Sequence, residues 1–254
     1  MDGVRQVLQH PVRREIAIKP EHAWEKFGVS YMVTFKDGDR FRAWYRVDAA
    51  EFGKAKRRAM TAYAESDDGV HWRKPKLGII EFNGSKENNL VWDGAAGNLA
   101  PFRDDNPNCN PNERYKAVAR SADLHALVSP DGLHWRLANK SPISTDRPFD
   151  SHNIAFWDDE SRHYVGYTRG IRKDGKVGKG MDARFFSGVR WVRRTTSKDF
   201  RNWSPRDWSI LAANGVCSGA QLRPNLSPPG CFRGPISKKF GIFCHYCPAN
   251  ADIF

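Results

Sequence analysis

One seven-residue pattern recurs three times in the chain and constrains the fold more than any other feature. It reads Ser66-Asp67-Asp68-Gly69-Val70-His71-Trp72, then Ser129-Pro130-Asp131-Gly132-Leu133-His134-Trp135, and more weakly Ser197-Lys198-Asp199-Phe200-Arg201-Asn202-Trp203. The starts lie 63 and 68 residues apart, about right for one four-stranded unit. Asp-Gly supplies the left-handed backbone of a tight turn, and the Ser and Asp side chains can bind turn amides. Trp then begins the following strand. The repeat is therefore read as structural.

A second pattern interleaves with it. Phe35-Lys36-Asp37, Phe102-Arg103-Asp104 and Phe156-Trp157-Asp158 each close an apolar stretch at a turn. Each is followed by an alternating strand from an aromatic residue to an Arg five positions on: Phe41 to Arg46, Tyr115 to Arg120, Tyr164 to Arg169. One unit thus runs strand, turn, strand ending in Arg, strand, Asp-Gly hairpin, Trp-initiated strand. Four strands per unit describe a propeller blade better than half a sandwich. The expected fold is all-β, a five-bladed β-propeller that is incomplete, with three clear blades plus part of a fourth. Residues 1–24 form an N-terminal extension, 25–210 the blades, and 211–254 an atypical tail.

That tail holds four of the five Cys, namely Cys217, Cys231, Cys244 and Cys247. Its composition fits a frameshifted or truncated sequence as well as a genuine divergent one. Cys244 and Cys247 make a lone CxxC without the second close pair of a zinc ribbon, so no metal and no cofactor is expected. No apolar run approaches the ~18 residues of a membrane span, and a membrane partner is not expected. Met1-Asp2-Gly3-Val4 opens without the basic and apolar regions of a signal peptide, which leaves localisation open. The formal charge is +12, but the basic residues are scattered. Lys54 to Arg58 and Arg190 to Arg194, the densest runs, read as solvated surface rather than a nucleic-acid footprint.

The segment Phe149-Asp150-Ser151-His152-Asn153-Ile154-Ala155-Phe156-Trp157-Asp158 resembles the Arg-Asp-Pro strand of the five-bladed propeller glycosidases, the clan of glycoside hydrolase families 32 and 43. The Ser-x-Asp-Gly-x-x-Trp turns also occur there. Tyr63 to Asp93, with Glu81-Phe82-Asn83-Gly84-Ser85-Lys86-Glu87-Asn88-Asn89, is similar to uncharacterised bacterial family-32-like proteins. The resemblance implies carbohydrate as partner and a glycoside hydrolase-like activity on polysaccharide or oligosaccharide. It implies that Asp150 orients sugar hydroxyls in a central carboxylate pocket. The clan's nucleophile strand corresponds here to Ala23-Trp24-Glu25-Lys26-Phe27-Gly28-Val29-Ser30-Tyr31, where Glu25 is the available carboxylate, and no Glu follows Glu160. Those departures support the alternative, a non-catalytic propeller that binds glycan or protein.

Asp150 and Glu25 are accordingly the candidate catalytic residues, since glycoside hydrolysis needs two opposed carboxyl groups. Asp150 lies six residues before Phe156, where Val29 and Ala96 precede the equivalent Phe residues, so the repeat itself does not demand it. His152 and Asn153 could bind sugar hydroxyls, with alternation sending them to opposite faces. Arg46, Arg120 and Arg169 form either a salt bridge repeated in every blade or a ring that binds an anionic ligand. Asn88 and Asn89 read as turn residues or as polar contacts at the channel mouth.

Overall fold

The computed structural model describes residues 15–50, 57–94, 97–150, 152–173, 176–177 and 189–208. The 211–254 tail with its four Cys, and any fourth blade beginning there, lie outside the described residues. Within them the chain is all-β, built as three separate antiparallel sheets that follow one another in sequence. Sheet I contains β1 (Val29–Asp37), β2 (Arg40–Ala50), β3 (Arg57–Ser66) and β4 (Trp72–Arg73), with β5 (Leu90–Trp92) paired to β3. Sheet II contains β6 (Gly97–Arg103), β7 (Tyr115–Arg120), β8 (Leu124–Ser129) and β9 (Arg136–Leu137). Sheet III runs β10 (Ile154–Asp158), β11 (His163–Lys173), β13 (Val189–Ser197) and β14 (Asp207–Trp208), with β12 (Lys176–Val177) paired to β11.

The Ser-x-Asp turns sit between the third and fourth strands of each sheet and share one hydrogen-bond network. Ser66 Oγ accepts from the Gly69 amide at 2.9 Å, and Asp68 Oδ1 accepts from the Val70 and His71 amides at 2.8 Å each. Ser129 and Asp131 repeat this with the amides of Gly132, Leu133 and His134, all at 2.9 Å. Asp199 Oδ1 takes the amides of Arg201 and Asn202 at 2.8 and 2.7 Å. The Trp indoles then donate back to the carbonyls of Gly69, Gly132 and Phe200. Gly69 and Gly132 have φ of 80° and 78°, and Phe200 occupies the same left-handed region at 64°, a conformation costly for a bulky residue.

The repeated unit differs from expectation at its edges. Only β7 ends at its Arg, because β2 and β11 continue pairing past Arg46 and Arg169. Trp opens the fourth strand only in sheet I. In sheet II the ladder starts one residue after Trp135, and Trp203 makes a single bridge to Ser197.

Alternation along the second strand of each sheet sends residues to opposite faces. Trp44 packs with Leu99, Tyr115, Ala117 and Leu127 between sheets I and II. Tyr45 and Val47 pack on the other face of sheet I with Met60, Phe82 and Leu90, beneath Ile18 and Trp24. Val118, Ala126 and Val128 meet Ala155, Tyr164 and Phe200 between sheets II and III.

A polar link recurs at both interfaces. The hydroxyl of Tyr115 in sheet II donates to Asp37 Oδ2 in sheet I, where Arg42 also pairs with Asp37 at 3.1 Å. One sheet further on, Tyr164 donates to Asp104 Oδ2 at 2.7 Å, and Lys116 pairs with the same oxygen at 2.7 Å. Asp37 and Asp104, which read as ordinary turn residues, are thus anchors between sheets. Burial raises the Asp37 pKa, but the Tyr115 and Arg42 hydrogen bonds outweigh it and hold the carboxyl below its usual range.

Candidate functional site

The first strands of the three sheets lie side by side, with β6 contacting both β1 and β10. Two of them begin with the same irregularity. Register shifts between Ser30 and Val33 in β1 and between Gly97 and Ala100 in β6. Each break contains a non-Gly residue at positive φ, Tyr31 at 50° and Asn98 at 57°. Such bulges re-aim a side chain, and the strain they hold is most common at functional sites. Tyr31 and Asn98 each lie four residues before the strand's Phe, and His152 holds that offset before Phe156.

These positions converge. Tyr31 and His152, from sheet I and from the approach to sheet III, meet edge to face with centroids 5.8 Å apart. The Arg46 guanidinium lies 6.0 Å from the Tyr31 ring centroid. It donates to Asn98 Oδ1 at 2.9 Å and pairs with Asp48 at 2.7 Å. The expected salt bridge therefore exists for Arg46, and its partner is two residues away on the same strand.

Arg120 and Arg169 take a different partner, and they share it. Arg120 Nη2 lies 3.3 Å from Asp150 Oδ1, and Arg169 Nη1 lies 2.7 Å from Asp150 Oδ2. Arg169 also donates to the Asp150 backbone carbonyl. Asp150 keeps 39% of its side chain exposed, against 6% for Arg169. The result is an open carboxylate flanked by guanidiniums from two sheets, an arrangement rich in charge-assisted donors and acceptors.

Asp150, His152 and Asn153 do not lie on β10, which starts only at Ile154. They form its approach, so strand alternation does not govern their directions. Asn153 is buried, donating to the Phe149 carbonyl at 2.9 Å and accepting from the Arg169 amide at 3.4 Å. It straps the approach segment onto β11. Burial pushes the His152 pKa down and favours the neutral ring. Its Nε2 and the Nδ2 of Asn98 are buried without a hydrogen-bond partner among the described residues.

A cavity of about 560 Å³ opens beside this cluster, lined in part by Arg46, Arg120, Arg58 and Asp93. Arg58 Nε donates to Asp93 Oδ1 at 2.6 Å.

Glu25 is elsewhere. It ends a short 3₁₀ turn, Ala23–Glu25, with its side chain fully buried. Its oxygens accept from the Glu21 amide at 2.8 Å, the His22 amide at 3.1 Å, Tyr45 at 2.8 Å and Lys74 at 2.8 Å. Burial alone would raise its pKa, yet Lys74 and the other donors together lower it. Glu25 does not line this cavity. Asn88 and Asn89 are also buried within sheet I, where Asn89 donates to Tyr45 and to the Tyr63 carbonyl at 2.9 and 2.6 Å.

The sequence reading missed Tyr31, Asn98, Arg58 and Asp93. For the first two a signal is present at the four-residue offset before each Phe. Among the described residues no three His, Cys, Asp or Glu side chains group as metal ligands do.

No family model matches the chain, and neither does any curated protein. Among solved structures it is similar to an N-acetylgalactosamine deacetylase from F. plautii, solved with blood group B trisaccharide, at 15% identity and TM-score 0.46, over 70% of this chain and 51% of that one. It is similar to a protein described as a glycoside hydrolase at 16% identity and TM-score 0.47, over 74% of this chain and 58% of that one. A glycosyl hydrolase from Bacteroides ovatus follows at 15% identity and TM-score 0.33, over 70% and 69%. The chain thus spans between half and three fifths of the length of the first two.

Proposed function

We propose that the three sheets are successive blades of a propeller of the five-bladed type, and that the chain binds carbohydrate where their first strands begin, without hydrolysing it. The observation that carries this reading is the Asp150 carboxylate, exposed yet held by Arg120 and Arg169 from two sheets. Paired in this way it suits accepting hydroxyl hydrogen bonds, while the guanidiniums donate to ring and hydroxyl oxygens. Tyr31, an exposed aromatic ring, lies against His152 and Arg46. Hydrolysis would need a second carboxyl about 5–10 Å across the bond. Glu25 is committed to four donors, from its own turn, from β2 and from Lys74, and Asp93 is tied to Arg58.

The test is calorimetric titration of the full chain with neutral and uronic-acid oligosaccharides, alongside a reducing-end release assay. Binding that weakens about tenfold or more in Asp150→Asn, with no sugar released, supports the reading. Release of reducing ends that Asp150→Asn abolishes would overturn it in favour of a hydrolase. Absence of binding to every glycan would remove carbohydrate as the partner.

A further inference from the structure

A second cavity, of about 420 Å³, lies between sheets II and III. Val118, Leu124, Ile143, Ile154 and Trp203 contribute to its apolar part. Its charged lining consists of Asp146, Arg193 and Arg206. Arg193 and Arg206 have side chains only 7% and 2% exposed, and both point at one oxygen, Asp146 Oδ2, at 2.7 and 3.1 Å. Two buried guanidiniums therefore share one carboxylate, and that carboxylate sits at the mouth with 42% of its side chain in solvent.

Arg206 is fixed in place by the fold. Its Nη1 donates to Thr168 Oγ1 at 3.0 Å, and its guanidinium stacks 4.4 Å from the Phe149 ring centroid. Its Nε is buried without an acceptor among the described residues. Burial, reinforced by the Arg193 charge, lowers its pKa to about 10, against the pull of Asp146. A buried cation in that position is stabilised by further negative charge. None of these residues stood out in the sequence. Arg193 belongs to the Arg190 to Arg194 run that read as solvated surface, yet alternation along β13 turns it and Thr195 inward to the cavity.

We propose that this cavity binds a small oxyanion, a carboxylate or a phosphate or sulfate group, between Arg193 and Arg206, with Asp146 as the built-in competitor for the same guanidiniums. The planar forks of two arginines match an oxyanion's paired oxygens, and Thr168 and Ser204 are among the residues that line the cavity. This proposal does not depend on the carbohydrate reading of the Asp150 cluster.

The test uses the full chain and calorimetric titration at low ionic strength with sodium phosphate, sodium sulfate and sodium glucuronate, against sodium chloride at matched ionic strength. Asp146→Asn is the decisive variant. Removing the competitor should tighten oxyanion binding about tenfold or more, while Arg206→Gln should weaken it by a similar factor. Preference for glucuronate identifies a sugar carboxylate as the natural group, and preference for phosphate or sulfate identifies an inorganic anion or ester. Binding that is unchanged or weaker in Asp146→Asn overturns the proposal, as does binding no stronger than that of chloride. Asp146→Asn leaves two buried guanidiniums without their shared carboxylate and lowers stability, so the comparison with chloride in the unsubstituted chain tests the proposal independently of either variant.

Discussion

The interfaces on the two sides of sheet II are built from one template and end differently. Between sheets I and II, Trp44 fills the space and donates to the Gly132 carbonyl at 2.7 Å, while Arg42 reaches the Asp131 carbonyl at 2.7 Å. The turn comes so close that a Cβ on Gly132 would lie 3.0 Å from the Trp44 ring. Between sheets II and III the residue equivalent to Trp44 is Val118, and the turn carries Phe200 in place of Gly. Phe200 inserts its own ring against Phe102 and Tyr164, at centroid distances of 5.7 and 5.2 Å. The ring that fills the gap comes from the strand in one case and from the turn in the other. The second solution leaves a cavity, and that is where the two buried arginines stand. A repeat can preserve backbone and turn chemistry while moving bulk, and the place where bulk is missing is where chemistry has room.

The comparison breaks most severely at Trp44. Trp44→Ala should cost about 3–5 kcal/mol, since it leaves a large void between sheets and removes a buried hydrogen bond; urea unfolding reads the loss. Asp104→Asn should cost about 3 kcal/mol, because Lys116, only 3% exposed, keeps its charge without its anion. Asp37→Asn should cost less, since Arg42 and Asp37 keep 11% and 14% of their side chains exposed where Lys116 and Asp104 keep 3% and 0%. Equal losses for the two Asp variants would show that the links are interchangeable and would sink that distinction. Phe200 sharpens the comparison further. Phe200→Gly should be less damaging than Phe200→Ala by about 1 kcal/mol, as Gly relieves the left-handed strain while both lose the ring.

The smallest effect is acid sensitivity of the turns. Burial raises the Asp131 pKa, but the His134 and Leu133 amides, the His134 ring and Ser129 bring it down to about 2. The folded value lies below the unfolded one of about 3.9, so this stability is present above about pH 4 and is lost as pH falls toward 2. Half-exposed as the carboxylate is, the contribution is on the order of 1 kcal/mol. Asp131→Asn should flatten that part of a stability-versus-pH curve and leave the neutral-pH stability lower.

Turns and strand order were legible in the sequence because they rest on local chemistry. Ser, Asp and Gly at fixed spacing can do little but close a turn, and the three networks form as their residues imply. Arg46, Arg120 and Arg169 were recognised as equivalent, yet equivalence concealed a divergence: Arg46 pairs with Asp48 on its own strand, while the other two meet at Asp150. That meeting spans two sheets and has no local signature. Glu25 drew attention as the carboxylate left near the missing motif, but its four donors come from its own turn, from β2 and from Lys74, contacts that only the fold brings together. Asp104 and Arg193 were misjudged for the same reason. A charged residue at a turn or in a basic run looks solvated until a neighbouring sheet covers it.

The Tyr-Asp-cation links carry a consequence for how the molecule comes apart. Each joins one sheet to the next in sequence, so sheet II is fastened on two sides, giving Tyr115 to sheet I and receiving Tyr164 from sheet III. Sheets I and III have one such fastening each among the described residues. Opening then proceeds as a zipper from either flank, and the amides of β7 and β8 are the last to become exchangeable with deuterium.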